Sequence, residues 1–94
     1  MAHEVHVMSH FSLPTDLALV MSQWPEFHSG AEYTADLFSL DGTEQVTVRL
    51  IENDEERYVA IRSDRGTSLF FRVLGAVIYA LGKDSDNLMV VRWE

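Results

Sequence analysis

Hydrophobic and polar residues alternate over residues 4–11, near the start of the chain. In an extended conformation one side would carry Val5, Val7 and Phe11, and the other would carry Glu4, His6, Met8 and His10. A period of two is typical of a strand that is buried on one face only. The pattern therefore predicts a half-buried first strand.

A helix is predicted after this strand. The segment Ser12-Leu13-Pro14-Thr15-Asp16 combines a capping residue, an early proline and an acid, as helix starts do. One helical face would then be formed by Leu17, Val20, Met21 and Trp24. Pro25 ends the helix, and residues 26–31 are expected to form a loop.

Two β-rich segments, residues 32–40 and 43–52, flank the dipeptide Asp41-Gly42. Such a dipeptide between apolar segments is a strong hairpin signal. In the second segment Val46, Val48 and Leu50 should face inward, and Gln45, Thr47 and Arg49 outward. A turn at residues 53–56 leads to a third segment, Arg57–Arg62.

Residues 67–81 are open to two interpretations. Their β-branched and aromatic content suits strands, with Gly75 as a turn. Helical spacing is nevertheless shown by Leu69, Phe70, Val73, Leu74, Val77, Ile78 and Leu81. Thr67 or Ser68 can cap the start and Gly82 suits the end, so we favour a helix. Residues 87–93 then form a last strand, with Met89, Val91 and Trp93 on one face.

The resulting order, β-α-β-β-β-α-β, predicts an α+β protein. We expect a two-layer sandwich in which two helices cover one face of a mainly antiparallel sheet of about five strands. Strands at 67–81 would instead give a β meander with one N-terminal helix. Ninety-four residues are enough for one globular domain over 1–94.

Composition favours a soluble, cytoplasmic protein. There are no cysteines for disulfides or thiol chemistry, and the N-terminus lacks the pattern of a signal peptide. The longest apolar segment, residues 69–81, is too short to span a bilayer and contains Arg72.

Charge is the most informative feature of the composition. The formal net charge is −8, and residues 1–48 contain no Lys or Arg. We expect an anionic surface there that docks onto a basic protein surface. The residues predicted to bind this partner are Trp24, Glu26, Phe27, Glu32, Asp36, Asp41 and Glu44. Trp24 and Phe27 could instead form an apolar plug at the end of the sheet.

The sequence contains few candidate residues for metal binding, catalysis or cofactor binding. On a strand, His6 and His10 lie too far apart to share a zinc ion and His3 points to the other face, so no metal site is predicted. These histidines could still gain charge at mildly acidic pH and weaken an acidic binding face. The segment Lys83–Asn87 lacks the glycine and closing glutamate of a calcium loop. We find no nucleophile elbow and no phosphate-binding loop, and predict neither catalysis nor a cofactor.

Three functions therefore compete. The first is a non-enzymatic inhibitor of a basic partner, which could itself be a nucleic-acid-binding protein; direct nucleic-acid or membrane binding is not expected. Small phage-encoded inhibitors of host defence and toxin-neutralising immunity proteins have this size and charge. The second is a homodimer or structural subunit that self-associates through an edge strand or residues 69–81. The third is a small-ligand-binding domain with a pocket between helix and sheet.

Overall fold

The structure, a computed structural model, describes residues 3–9, 13, 17–31, 33–83 and 88–94. Within these residues six strands form one sheet, and every neighbouring pair is antiparallel. The strands are β1 (His3–Ser9), β2 (Phe27–Ala31), β3 (Thr34–Phe38), β4 (Gln45–Glu52), β5 (Arg57–Ser63) and β6 (Met89–Trp93). The helices are α1 (Leu17–Met21) and α2 (Ser68–Gly82). Their order across the sheet, β2-β3-β4-β5-β1-β6, places β1 between β5 and β6.

The predicted α+β class and antiparallel sheet are confirmed. The predicted number of strands, about five, is too low, because the sheet has six. The expected loop at residues 26–31 contains β2. Four of the five side chains of β2 are exposed, so it has no apolar alternation to reveal it. Its backbone pairs with β3, with a register shift between Phe27 and Ser29. Backbone hydrogen bonds to β3 therefore specify β2, because the side chains of β2 show no hydrophobic alternation.

The two helices differ in length. α1 has five residues, with Leu17 and Met21 buried and Val20 54% exposed, so the prediction that Val20 shares the buried face is wrong. Of the predicted helix start at Ser12-Leu13-Pro14-Thr15-Asp16, only the buried Leu13 belongs to the described residues. α2 has fifteen residues and buries Leu69, Phe70, Val73, Leu74, Val77 and Leu81. The helical interpretation of 67–81 is confirmed, and burial of these six side chains contributes roughly 10–20 kcal/mol before entropy is subtracted.

One face of the sheet packs against both helices. The strands contribute Val5, Val7, Ala35, Leu37, Val46, Val48, Leu50, Val59 and Ile61 to the same buried cluster as the helical residues. Val46, Val48 and Leu50 face inward, as predicted from their alternation. The alternate residues of these strands lie on the opposite, open face, which no described helix covers.

The β3–β4 hairpin forms at the predicted place with a longer loop, residues 39–44. The N–H of Gly42 donates to the carbonyl of Ser39 (2.9 Å), and Gly42 has a φ of 73°, which glycine adopts without strain. Asp41 accepts hydrogen bonds from the hydroxyls of Ser39 and Thr43, both at 2.7 Å. These bonds, with one from the N–H of Thr43, lower the pKa of Asp41 to about 2. Asp41 therefore organises the turn.

Candidate functional site

Glu26, predicted to lie on an exposed anionic surface, is buried. Its side chain is 8% exposed, and one carboxylate oxygen lies 2.6 Å from a guanidinium nitrogen of Arg72 on α2. The hydrogen bond from Arg72 lowers the pKa of Glu26 against the opposing effect of burial. The Arg72 guanidinium also lies 5.0 Å from the centroid of the Trp24 ring. This arrangement attaches the turn after α1 to α2, so the prediction that Glu26 is exposed is wrong.

Glu44 is also buried, at 1% exposure. Its carboxylate accepts hydrogen bonds from the hydroxyl of Ser63 (2.5 Å), the N–H of Thr67 (2.8 Å) and the hydroxyl of Thr67. Burial acts to raise the pKa of Glu44, but these bonds and one from the N–H of Leu69 together hold it below its usual value. Thr67 and Leu69 lie at the start of α2, so Glu44 supplies the N-cap that the Thr67 side chain does not.

Of the remaining members of the predicted anionic set, the structure describes Asp36 and Asp41. Asp36 is half-buried on the open face, where it accepts a hydrogen bond from the Thr47 hydroxyl (3.0 Å). Asp41 is exposed in the β3–β4 loop, and Glu32 lies outside the described residues. Burial of Glu26 and Glu44 therefore removes two carboxylates from the contiguous surface that residues 1–48 were expected to provide.

Trp24 and Phe27 pack against the core, in agreement with an apolar plug at this end of the sheet. Both side chains are half-buried. The large apolar side chains that remain well exposed lie elsewhere: Val20, Tyr33, Leu40, Phe71, Tyr79, Leu88, Val90, Val91 and Trp93. Five of these nine lie on β6 or beside it.

The histidines are separated by the sheet. His3 shares the helix-covered side of β1 with Val5 and Val7, whereas His6 lies on the open face, as predicted; His10 lies outside the described residues. The Nε2–H of His6 donates a hydrogen bond to the carboxylate of Glu4 (2.7 Å), and the ring centroid of His6 is 4.6 Å from that of Tyr58. Among the described residues, no three His, Asp or Glu side chains are placed to share a metal ion.

β6 is an edge strand with a free side. The N–H of Glu94 donates to the carbonyl of Glu4 (3.0 Å), so Glu94 and, by alternation, Arg92 and Val90 point their backbone groups towards β1. The N–H and C=O groups of Met89, Val91 and Trp93 therefore point away from the sheet. No described strand pairs with them there.

Apolar side chains surround this free edge. Val91 and Trp93 lie on the helix-covered face beside Phe71 of α2, with the Trp93 and Phe71 rings 6.4 Å apart. Val90 lies on the open face, and Leu88 precedes the strand. The one charged side chain within β6, Arg92, pairs with Glu94 at 2.8 Å. Sheet edges are usually protected by lysine, proline or a bulge, and the described part of this edge has none of them.

The sequence contained a signal for this edge: Leu88 to Val91 is an apolar run in the final strand. What the sequence did not reveal is the strand order, which places β6 outside β1.

Over the residues that the structure describes, these features define a small α+β protein with one sheet face that no helix covers and one apolar edge strand without lysine, proline or a bulge. The chain matches no protein-family model, and neither the curated proteins nor the solved structures contain a significant match. None of the helices within the described ranges has the length and apolar character needed to cross a membrane.

Proposed function

We propose that this chain is a non-enzymatic protein-binding module that works through the free edge of β6, and that the partner is a second copy of the same chain. The observation that supports this proposal is the outward backbone of Met89, Val91 and Trp93, set among exposed apolar side chains. Unpaired strand edges of this kind are templates for the addition of another strand.

The backbone of β6 is complementary to itself. Two antiparallel copies with Val91 opposite Val91 would place Met89 of each copy opposite Trp93 of the other. All three outward N–H groups and all three outward C=O groups of each copy would then form hydrogen bonds. A symmetric pairing of this kind closes into a dimer with one continuous sheet.

The side chains at the edge add an apolar contact. Leu88, Val90, Val91, Trp93 and Phe71 are between 40% and 73% exposed. Aromatic side chains contribute about 150–250 Å² each when fully buried and aliphatic ones less, so covering every exposed part of these five would remove on the order of 500 Å² per copy from water. Two copies would bury at most about 1,000 Å², the lower limit for a specific interface. Arg92 keeps its own partner in Glu94, so the one charged side chain within β6 would not be left unpaired.

Docking onto a basic protein surface, with inhibition of that protein, stays a prediction. The net charge of −8 supports it, but Glu26 and Glu44 are buried and cannot contribute to the docking surface. Absence of catalysis and a cytoplasmic location likewise stay predictions.

The proposal is tested by the oligomeric state of the full chain. Analytical ultracentrifugation of the wild type should give a concentration-dependent mass that approaches two copies. Val91→Lys places a charge at the centre of the interface and should give the monomer mass. Leu40→Lys is the matched control, because Leu40 is 75% exposed in the β3–β4 loop, away from β6. This variant should associate as the wild type does.

A second variant separates backbone pairing from apolar contact. Val91→Pro keeps an apolar side chain but removes the outward N–H at the centre of the edge, so it should also be monomeric. Folding of each variant is checked by circular dichroism. A wild type that stays monomeric at high micromolar concentration, or equal effects of the Val91 and Leu40 variants, would overturn the proposal.

A further inference from the structure

The open face of the sheet contains a hollow centred on Ala60 of β5. Ala60 lies opposite Arg49 of β4 on one side and opposite His6 of β1 on the other. Tyr58 and Arg62 precede and follow it on the same face of β5. A single methyl group is thus surrounded by four long side chains, and the resulting cavity has a volume of about 400 Å³. We call this the Ala60 hollow.

The corners of the Ala60 hollow are also defined by the strand register. Thr47 and Ile51 flank Arg49 on β4, and Glu4 flanks His6 on β1. The walls therefore combine two guanidinium groups, a phenol, an imidazole, a hydroxyl, one carboxylate and one aliphatic side chain. A volume of 300–1,000 Å³ with a few converging polar groups is typical of small-ligand sites.

The positive charge of the Ala60 hollow is available to a ligand. Three arginines form ion pairs within the described residues: Arg57, Arg72 and Arg92. Arg49 and Arg62 belong to none of these pairs, and both are exposed. The one carboxylate in the walls, that of Glu4, lies 2.7 Å from His6 and is directed at that ring. Glu4 also lies opposite Arg62 in the β1–β5 register, and the Glu94 carboxylate lies 3.7 Å from His6 Nδ1. In a chain with a net charge of −8, two guanidinium groups that form no ion pair with a described residue still make this hollow richer in positive charge than the chain as a whole.

We infer that the Ala60 hollow binds a small phosphate monoester. Arg49 and Arg62 are diagonal neighbours across the β4–β5 pair, so their side chains start about 7–8 Å apart and can approach one anion from two directions. A tetrahedral phosphate presents three terminal oxygens and suits two guanidinium groups, whereas one guanidinium already satisfies a flat carboxylate. The Tyr58 and His6 rings, in contact at 4.6 Å, offer a surface for a planar organic group.

The size of the site favours a small molecule over a nucleic acid. A nucleic-acid surface needs many clustered cations to neutralise successive phosphates. Here two unpaired arginines face one hollow, and the remainder of the molecule is anionic and would repel a polyphosphate backbone. This inference is independent of β6 pairing, because no residue of β6 lines the hollow.

The test is a titration of the full chain, at low ionic strength and neutral pH in a buffer free of phosphate, followed by amide chemical shifts. The probes are inorganic phosphate, phenyl phosphate and benzoate. We expect saturable shifts confined to β4, β5 and β1, with phenyl phosphate binding more tightly than phosphate or benzoate. Arg49→Gln and Arg62→Gln should each weaken phenyl phosphate binding about tenfold, as loss of a charge-assisted hydrogen bond does.

Arg65→Gln is the matched control, since Arg65 is exposed in the turn between β5 and α2 and does not line the hollow. It makes the same change of charge and should leave the affinity within about twofold of the wild-type value, because an exposed charge outside the hollow acts on the ligand only through water of high dielectric constant. Ala60→Leu fills the hollow without changing charge and should also abolish binding. The inference is overturned if shifts do not saturate, if benzoate binds as well as phenyl phosphate, if Arg65→Gln weakens binding as much as Arg49→Gln, or if folded Ala60→Leu binds normally.

Discussion

At the scale of single residues, Glu44 shows how burial changes the role of a charge. In the sequence it is one acid among seven in a segment without Lys or Arg, and it was expected to face a partner. In the structure its carboxylate is enclosed by donors from Ser63, Thr67 and Leu69. The side chain therefore stabilises the start of α2 and is not available for binding.

Replacing this carboxylate with an amide should destabilise the fold in a pH-dependent way. Glu44→Gln keeps the size of the side chain but replaces one acceptor oxygen with a donor, so we expect a loss of about 2 kcal/mol near neutral pH. Because the pKa of Glu44 is lower in the folded protein than its value of 4.5 in the unfolded chain, its contribution is present above that value and is lost as pH falls through the folded pKa. The difference in the free energy of unfolding between wild type and variant should therefore shrink on acidification.

Urea denaturation at several pH values measures this difference. Glu55→Gln is the control: it makes the same chemical change in the exposed turn between β4 and β5 and should stay within about 0.5 kcal/mol of the wild type throughout. A constant gap between the wild type and Glu44→Gln from neutral to acidic pH would contradict the assigned role.

At the scale of elements, the structure separates what local patterns predict from what needs long-range pairing. α2 and the β3–β4 hairpin depend on neighbours in the chain; the helix and the place of the hairpin were predicted correctly, but the hairpin loop is longer than the Asp41-Gly42 turn that was expected. β2 was missed because its exposed side chains leave only backbone bonds to β3 to specify it. The candidate sites were harder to predict than the helices and strands. Glu26 contacts Arg72, which lies forty-six residues later in the chain, and the Ala60 hollow is formed by three strands whose order cannot be derived from the sequence.

Two glycines that flank or lie within α2 should respond to alanine in opposite ways. Gly75 is exposed in the helix interior, and a Cβ added there meets no atom within 4 Å. Gly75→Ala should therefore stabilise the protein by about 0.5–1 kcal/mol through helix propensity. Gly66 precedes the helix and has a φ of 68°, and a Cβ added there would lie 2.8 Å from the His3 ring. Gly66→Ala should therefore destabilise the protein by about 1 kcal/mol or more.

Thermal unfolding of the two alanine variants beside the wild type checks these signs. Each variant is the control for the other, because both add one methyl group and the two positions differ only in backbone conformation and surroundings. A lower melting temperature for Gly75→Ala would show that the exposed middle of α2 is constrained by something other than helix propensity.

At the scale of the whole molecule, the affinity of the dimer and the affinity for phosphate should change in opposite directions as salt is added. Each copy carries a net charge of −8, so two copies repel one another while the β6 contact itself is apolar. Added salt screens this repulsion and should tighten the dimer. Phosphate binding in the Ala60 hollow depends on attraction to Arg49 and Arg62, so the same salt should weaken it.

Sedimentation and the phenyl phosphate titration, repeated from about 20 to about 300 mM sodium chloride, measure both trends in one buffer series. The Leu40→Lys and Arg65→Gln variants serve as the respective controls and should follow the wild type. A dimer that dissociates as salt rises would point to ion pairs across the interface and against an apolar β6 contact.

The position of β1 in the sheet has a consequence for how the chain is made. Val5 and Val7 are synthesised early, but their neighbours Ile61 and Val59 on β5 and Val91 on β6 follow much later. Because both neighbours of β1 are translated after it, the apolar side chains of β1 stay uncovered until β5 and β6 have left the ribosome. During that interval residues 3–9 would be open to a chaperone that holds extended apolar segments.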